Sequence, residues 1–147
     1  MAQLYFNNQL IATSDTHGVL SPNIMNDKFT IVYKTNPKKY YSIIIYNDDT
    51  VYLFLINVKG IDLSTGQPVV DYIPFPLKSK NNEITLCIYE QKNHLKVKDE
   101  FEFEEFITYN QLKLIHLIDF TILQKIDKQP NIFSNRVFYQ KLKALKN

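Results

Sequence analysis

The sequence has no tryptophan, one cysteine, three glycines and one arginine, Arg136. Each scarcity excludes something. A lone Cys87 cannot form an internal disulfide or a cysteine-based metal site. Three isolated glycines supply neither a Walker A loop nor a G-x-G-x-x-G fingerprint, the two glycine-built phosphate cradles. No apolar run approaches the ~20 residues that span a bilayer. The longest, Ile43-Ile44-Ile45-Tyr46 and Val51-Tyr52-Leu53-Phe54-Leu55-Ile56, are strand-length. Charge of one sign is also lacking: 17 basic residues face 15 acidic ones, for a net +2. That is too little to argue for nucleic acid as a partner. The start, Met1 to Asn8, lacks the basic residues and apolar block of a signal peptide. The expectation is a soluble cytoplasmic protein of a reducing compartment, without transmembrane insertion.

What is present is a chain of 147 residues, 45% hydrophobic, with ten tyrosines and ten phenylalanines. That size predicts a single domain over 1–147, large enough to build a core without staples. The first two-thirds read as β. Phe29, Ile31 and Tyr33 alternate with more polar neighbours over 28–34, the period of a half-buried strand. Asn36-Pro37-Lys38-Lys39 breaks the chain as a turn. Residues 40–46 and 51–58 are rich in β-branched and aromatic side chains, which suits strands buried on both faces. Asn47-Asp48-Asp49-Thr50 between them reads as a tight turn. A further strand runs over 84–91. The stretch from Gly60 to Asn82 carries Pro68, Pro74 and Pro76 and reads as a long ordered loop wrapped on the sheet.

The end of the chain changes character. Acidic residues over 99–105 open a short helix, where the dipole favours them. Phe103, Phe106 and Ile107 fall at i, i+3 and i+4 and so face the core. Leu112 to Leu123 reads as a strand. Ser134 caps a final helix through Leu145, with Val137, Phe138, Leu142 and Leu145 inward.

Little of this looks catalytic. His17, His94 and His116 are scattered without ligand spacing. Cys87 sits inside an apolar strand, where cysteine acts as a small hydrophobe. Ser64 lacks the G-x-S-x-G elbow. The lysine pairs are basic, but most aromatics able to stack on bases fall at core positions. An enzyme would have to use Asp48 or Asp49 as acid or base near Tyr52. The expectation is a protein that is not an enzyme and needs no cofactor. Abundant Ile, Lys, Asn and Tyr point to an AT-rich genome, that of a parasite or a large DNA virus, which would make the compartment a host's cytoplasm.

One segment is familiar. Gly60-Ile61-Asp62-Leu63-Ser64-Thr65-Gly66-Gln67-Pro68-Val69-Val70-Asp71-Tyr72 follows Ile56-Asn57-Val58-Lys59, and Leu86-Cys87-Ile88-Tyr89-Glu90-Gln91 comes after. With Asn57, Gly60, Asp62, Gly66 and Tyr72 in place, the region from Lys39 to Gln91 resembles the phosphatidylethanolamine-binding protein family, which includes Raf kinase inhibitor protein and the plant flowering regulators. Gly18-Val19-Leu20-Ser21-Pro22 and the stretch from Lys98 to Tyr109 are weaker matches, and Asp119 to Asn131 has no clear counterpart. The resemblance implies a mainly β fold, an antiparallel β-sandwich with short helices near the C-terminus.

It also implies a site, and there this chain departs from the family. The family pocket holds a phosphate-like group with Asp-Pro-Asp-x-Pro, His-Trp and Gly-x-His-Arg motifs. Here Asn47 replaces the first aspartate, Asp49 keeps the last, and both prolines are gone. Tyr52-Leu53 stands for His-Trp. The second histidine falls on Asn82 counting back from Gln91, or on Asn81 counting forward from Pro74 and Pro76. Losing both histidines removes positive charge and weakens anion binding. Lys78 and Lys80 lie in the same loop and can restore some, though less rigidly. Tyr52, larger than histidine, partly fills the space. The expected ligand-binding residues are thus Asn47, Asp49, Tyr52, Pro74, Pro76, Lys78, Lys80, Asn81 and Asn82. The expected ligand is an anionic phospho-group or phospholipid headgroup, in a pocket kept or degenerate. The expected function is regulation of a protein partner such as a signalling kinase. The alternative is an interaction scaffold that has lost the small ligand and acts through its 60–82 loop.

Overall fold

A computed structural model describes residues 1–22, 28–75, 82–96 and 102–124. Among these residues, nine strands and one α-helix follow in order: β1 Gln3–Phe6, β2 Gln9–Thr13, β3 Gly18–Leu20, β4 Phe29–Val32, β5 Tyr40–Tyr46, β6 Val51–Val58, β7 Gln67–Val70, β8 Asn82–Gln91, α1 Phe103–Tyr109 and β9 Lys113–Ile122. They form a small sheet in the order β2-β1-β4 and a large one in the order β3-β9-β8-β5-β6-β7.

The apolar pattern explains the layering. Leu4, Phe6, Ala12 and Ile31 of the small sheet meet Ile43, Ile45, Leu53, Leu55, Ile84, Leu86, Ile88, Ile118 and Phe120 of the large one. The opposite face of the large sheet presents Ile44, Phe54, Ile56 and Cys87, which α1 covers with Phe106, supported by Phe103 and Ile107. Both faces of β5 and β6 are therefore buried, as their unbroken apolar runs require. Tyr46, Phe54 and Tyr89 each meet the ring of Phe103.

Several elements depart from the sequence reading. The large sheet is not wholly antiparallel, because β3 pairs with β9 in parallel, Gly18 opposite Phe120 and Leu20 opposite Ile122. A side chain at residue 18 would meet the carbonyl oxygen of Ile11 at 2.1 Å, so only glycine lets β3 approach β2 this closely. The 60–82 stretch is not a plain loop. It holds a 3-10 turn, Leu63–Thr65, capped by the Asp62 carboxylate, and then β7 at the edge of the large sheet. Pro68 is tolerated there because an edge strand can lack a donor. The first helix begins at Phe103, with Glu104 and Glu105 in its first turn. The final helix expected over 134–145 lies outside the described residues.

Candidate functional site

The β5–β6 hairpin turn places the first candidate. The Asn47 Oδ1 accepts from the backbone N–H of Asp49 at 2.9 Å and of Thr50 at 2.7 Å, and the Asn47 N–H donates to the Thr50 carbonyl at 2.9 Å. This is an asparagine-closed turn, the reason the residue type is favoured there. It leaves the Asn47 amide nitrogen aimed back over the strands.

That nitrogen donates to the Tyr52 hydroxyl at 2.8 Å and to the Asn82 Oδ1 at 3.0 Å. The Asn82 Nδ2 reaches the same hydroxyl at 3.4 Å. The two sides of the β5–β6 turn thus meet the start of β8, 30 residues beyond Tyr52, in one place. The Asn47 side chain now uses both acceptor positions and both donors, so it is saturated. The Tyr52 oxygen accepts from both amides, and its side chain is 2% exposed.

Beneath the hydroxyl, the Tyr52 ring stacks edge-on against Phe75 at 5.2 Å between centroids. Phe75 is buried and touches the rings of Phe6, Phe29, Tyr72 and Phe120. The Ile73 N–H donates to the Tyr52 carbonyl at 2.8 Å and lays residues 71–75 along β6. Sequence reasoning missed Phe75. Its signal was an aromatic held between Pro74 and Pro76, where the backbone is stiff enough to insert one ring.

Of the residues expected at the site, Asn47, Tyr52 and Asn82 come together. Asp49 is exposed in the turn and contributes its backbone N–H to Asn47. Pro74 is exposed beside the buried Phe75. Pro76, Lys78, Lys80 and Asn81 lie outside the described residues. Asn82, one of the two positions aligned with the second histidine, meets Tyr52.

The chemistry of this cluster is that of neutral hydrogen bonding. Two amides and a phenol bring no formal charge to a ligand, and Asp48 is exposed like Asp49. Cys87 lies under α1, where burial pushes its thiol up and favours the protonated form. Burial likewise pushes the neighbouring Tyr89 phenol up to about 12. Among the described residues, no group of three or more His, Cys, Asp and Glu side chains could hold a metal ion, and no helix is long and apolar enough to cross a membrane.

No family model and no curated protein matches the sequence. Solved structures do. A carboxypeptidase Y inhibitor, solved in complex with its cognate proteinase, superposes with a TM-score of 0.62 and 11% identity over 84% of this chain and 83% of that one. A phosphatidylethanolamine-binding protein from Plasmodium vivax superposes with a TM-score of 0.57 and 12% identity over 85% and 86% of the two chains. At these identities the likeness is one of fold, and the fold is that of the phosphatidylethanolamine-binding proteins.

Proposed function

We propose that this chain is a non-catalytic binding protein that has closed the phosphate end of its fold and acts on a protein partner. The observation that carries this reading is the Asn47–Tyr52–Asn82 contact, in which the groups that would face a ligand bond to one another over a buried aromatic floor. A phosphate entering there would have to displace these bonds and, among the described residues, would gain only neutral donors. Charge-assisted hydrogen bonds are roughly twice as strong as neutral ones, so the exchange is unfavourable.

The face offered to a partner is the described part of the 60–82 segment. Ile61 is 42% exposed and Ile73 46%, with Asp62, Asp71 and Pro74 exposed beside them. Apolar side chains inside a polar surround are the usual makeup of a protein-binding surface. That one protein of similar fold was solved holding a proteinase supports a protein as the partner. The sequence resemblance suggests its class, a signalling protein such as a kinase, which makes the role regulatory.

Titration of isotope-labelled protein with O-phosphotyrosine and with a short-chain phosphoethanolamine lipid tests the closure. The amide signals of Asn47, Asp49, Tyr52 and Asn82 are expected to stay in place at millimolar ligand. Shifts clustered on those residues would overturn it and restore a phospho-ligand pocket.

A further inference from the structure

At the opposite end of β5 and β6 lies a groove of about 450 Å³ lined by Tyr40, Asn57, Lys59, Thr65, Gln67 and His94. Its size falls within the range of small-molecule sites. Its floor is rigid. Asn57 has a left-handed φ of 61° and is 5% exposed. Its Oδ1 accepts from Gln91 Nε2 and from the Leu95 N–H, both at 2.8 Å, and its Nδ2 donates to the Leu95 carbonyl at 2.8 Å. Thr65 ties one wall in place, accepting from the Lys59 N–H at 2.8 Å and donating to the Asp62 carbonyl at 2.7 Å.

The other walls are built differently. The Lys59 ammonium lies 5.9 Å from the centre of the Tyr40 ring, and the His94 ring meets Tyr40 edge-on at 5.1 Å. Among the described residues, no hydrogen bond or ion pair takes up the Lys59 ammonium, the His94 ring nitrogens or the Gln67 amide. Among the described residues, the lining contains a lysine, a histidine and no carboxylate. Nearby acids are engaged elsewhere. Glu90 pairs with Lys39 at 3.8 Å, and Asp62 accepts from the Ser64 hydroxyl at 2.6 Å and from its N–H at 3.0 Å. A fixed floor, an aromatic wall and three uncommitted donors of net positive character converge on one open space.

We infer that this groove binds a small organic anion, its oxyanion held by Lys59, His94 and Gln67 and its body laid against Tyr40. A bare oxyanion would leave most of the volume empty. A planar anion such as an aryl phosphate fills more of it. This site is independent of the Asn47 cluster, since no residue is shared and the two lie at opposite ends of the same strands.

Phenyl phosphate, inorganic phosphate and phenol, each titrated into the isotope-labelled full chain at constant ionic strength, test the inference. Phenyl phosphate is expected to shift the amides of Lys59, Thr65 and Gln67 and the ring signals of His94, more tightly than inorganic phosphate does. Lys59→Gln, at an exposed position that leaves the fold intact, should weaken that binding roughly 10-fold, the worth of one charge-assisted bond. His94→Gln should weaken it less. A silent groove, equal response to phenol, or affinity unchanged by Lys59→Gln would overturn it. Shifts confined to Asn47, Tyr52 and Asn82 would overturn both this inference and the closed-end reading. A silent groove with those residues also silent would overturn only this one.

Discussion

The two ends of the β5–β6 hairpin hold the same chemistry put to different uses. At one end Asn47, Tyr52 and Asn82 bond chiefly side chain to side chain. At the other, Asn57 and Gln91 bond largely to backbone, as well as to each other and to Ser42. The Gln91 Oε1 accepts from the Asn57 N–H at 2.8 Å and the Ser42 hydroxyl at 2.7 Å, and its Nε2 donates to the Asn93 carbonyl at 3.0 Å as well as to Asn57. Gln91 is 1% exposed and Ser42 is fully buried.

The reason lies in the register. Between Tyr41–Val58 and Ile43–Leu55, β6 carries an extra residue. That bulge puts Asn57 in the left-handed region and takes its N–H out of the ladder. A buried N–H without a partner is costly, and Gln91 supplies the partner. Amides here complete the sheet. Amides at the turn end fill a space at its rim. The Asn57–Gln91 cluster should therefore be indispensable to folding and the Asn47–Tyr52–Asn82 cluster replaceable.

The sharpest way to break this comparison is Gln91→Leu. It keeps the volume but orphans the Ser42 hydroxyl, the Asn57 N–H and one Asn57 acceptor position. At one to three kcal/mol per orphaned group, a loss of roughly 3 kcal/mol or more is expected. Urea unfolding measures it as a lower midpoint at unchanged slope. A loss below ~1 kcal/mol would show that the network is not structural.

Asn57 separates hydrogen bonding from backbone strain. Both Asn57→Gly and Asn57→Ala remove the side-chain bonds to Leu95 and Gln91. Only alanine adds the cost of a left-handed φ, so it should be less stable than glycine by roughly 1 kcal/mol. Equal stabilities would mean that the bulge relaxes.

The smallest effect is expected at the turn end. Tyr52→Phe deletes the shared hydroxyl while Asn47 and Asn82 keep each other, so about 1 kcal/mol is lost. Residues 42 and 47 are roughly 17 Å apart along β5 at strand rise. Tyr52→Phe combined with Gln91→Leu should thus be additive within about 0.5 kcal/mol. A larger coupling would mean the two ends act as one unit.

This comparison also explains which parts of the sequence were legible. The motif most readily recognised, Asn57 with Gly60, Asp62 and Gly66, turns out to be architectural. Asn57 sits in the bulge, Gly60 has a φ of 60°, Asp62 caps the 3-10 turn, and a side chain at Gly66 would press on Val58 at 2.7 Å. Such residues answer a local backbone demand and are readable as a pattern. β5, β6 and β9 were legible for a related reason, since apolar runs of strand length announce themselves. β1 and β2 are only four and five residues long, and β3 three, too short for alternation to stand out. β7 was obscured by Pro68, which argues against a strand until its edge position is known.

Local rules acting within a few residues let the sequence by itself determine the β-rich core, the turn at Asn47–Thr50, the inward face of α1 and the absence of glycine-built or cysteine-built sites. Tertiary structure alone decided the rest. Asn47 meets Asn82 across 35 residues, and Gln91 meets Asn57 across 34. Neutral side-chain hydrogen bonds leave no spacing pattern behind, because any two polar groups suit one another once strand register has brought them within 3 Å. The same register gathered Tyr40, Lys59 and His94 around one groove, and that placement, not the residue types, is what makes them a site.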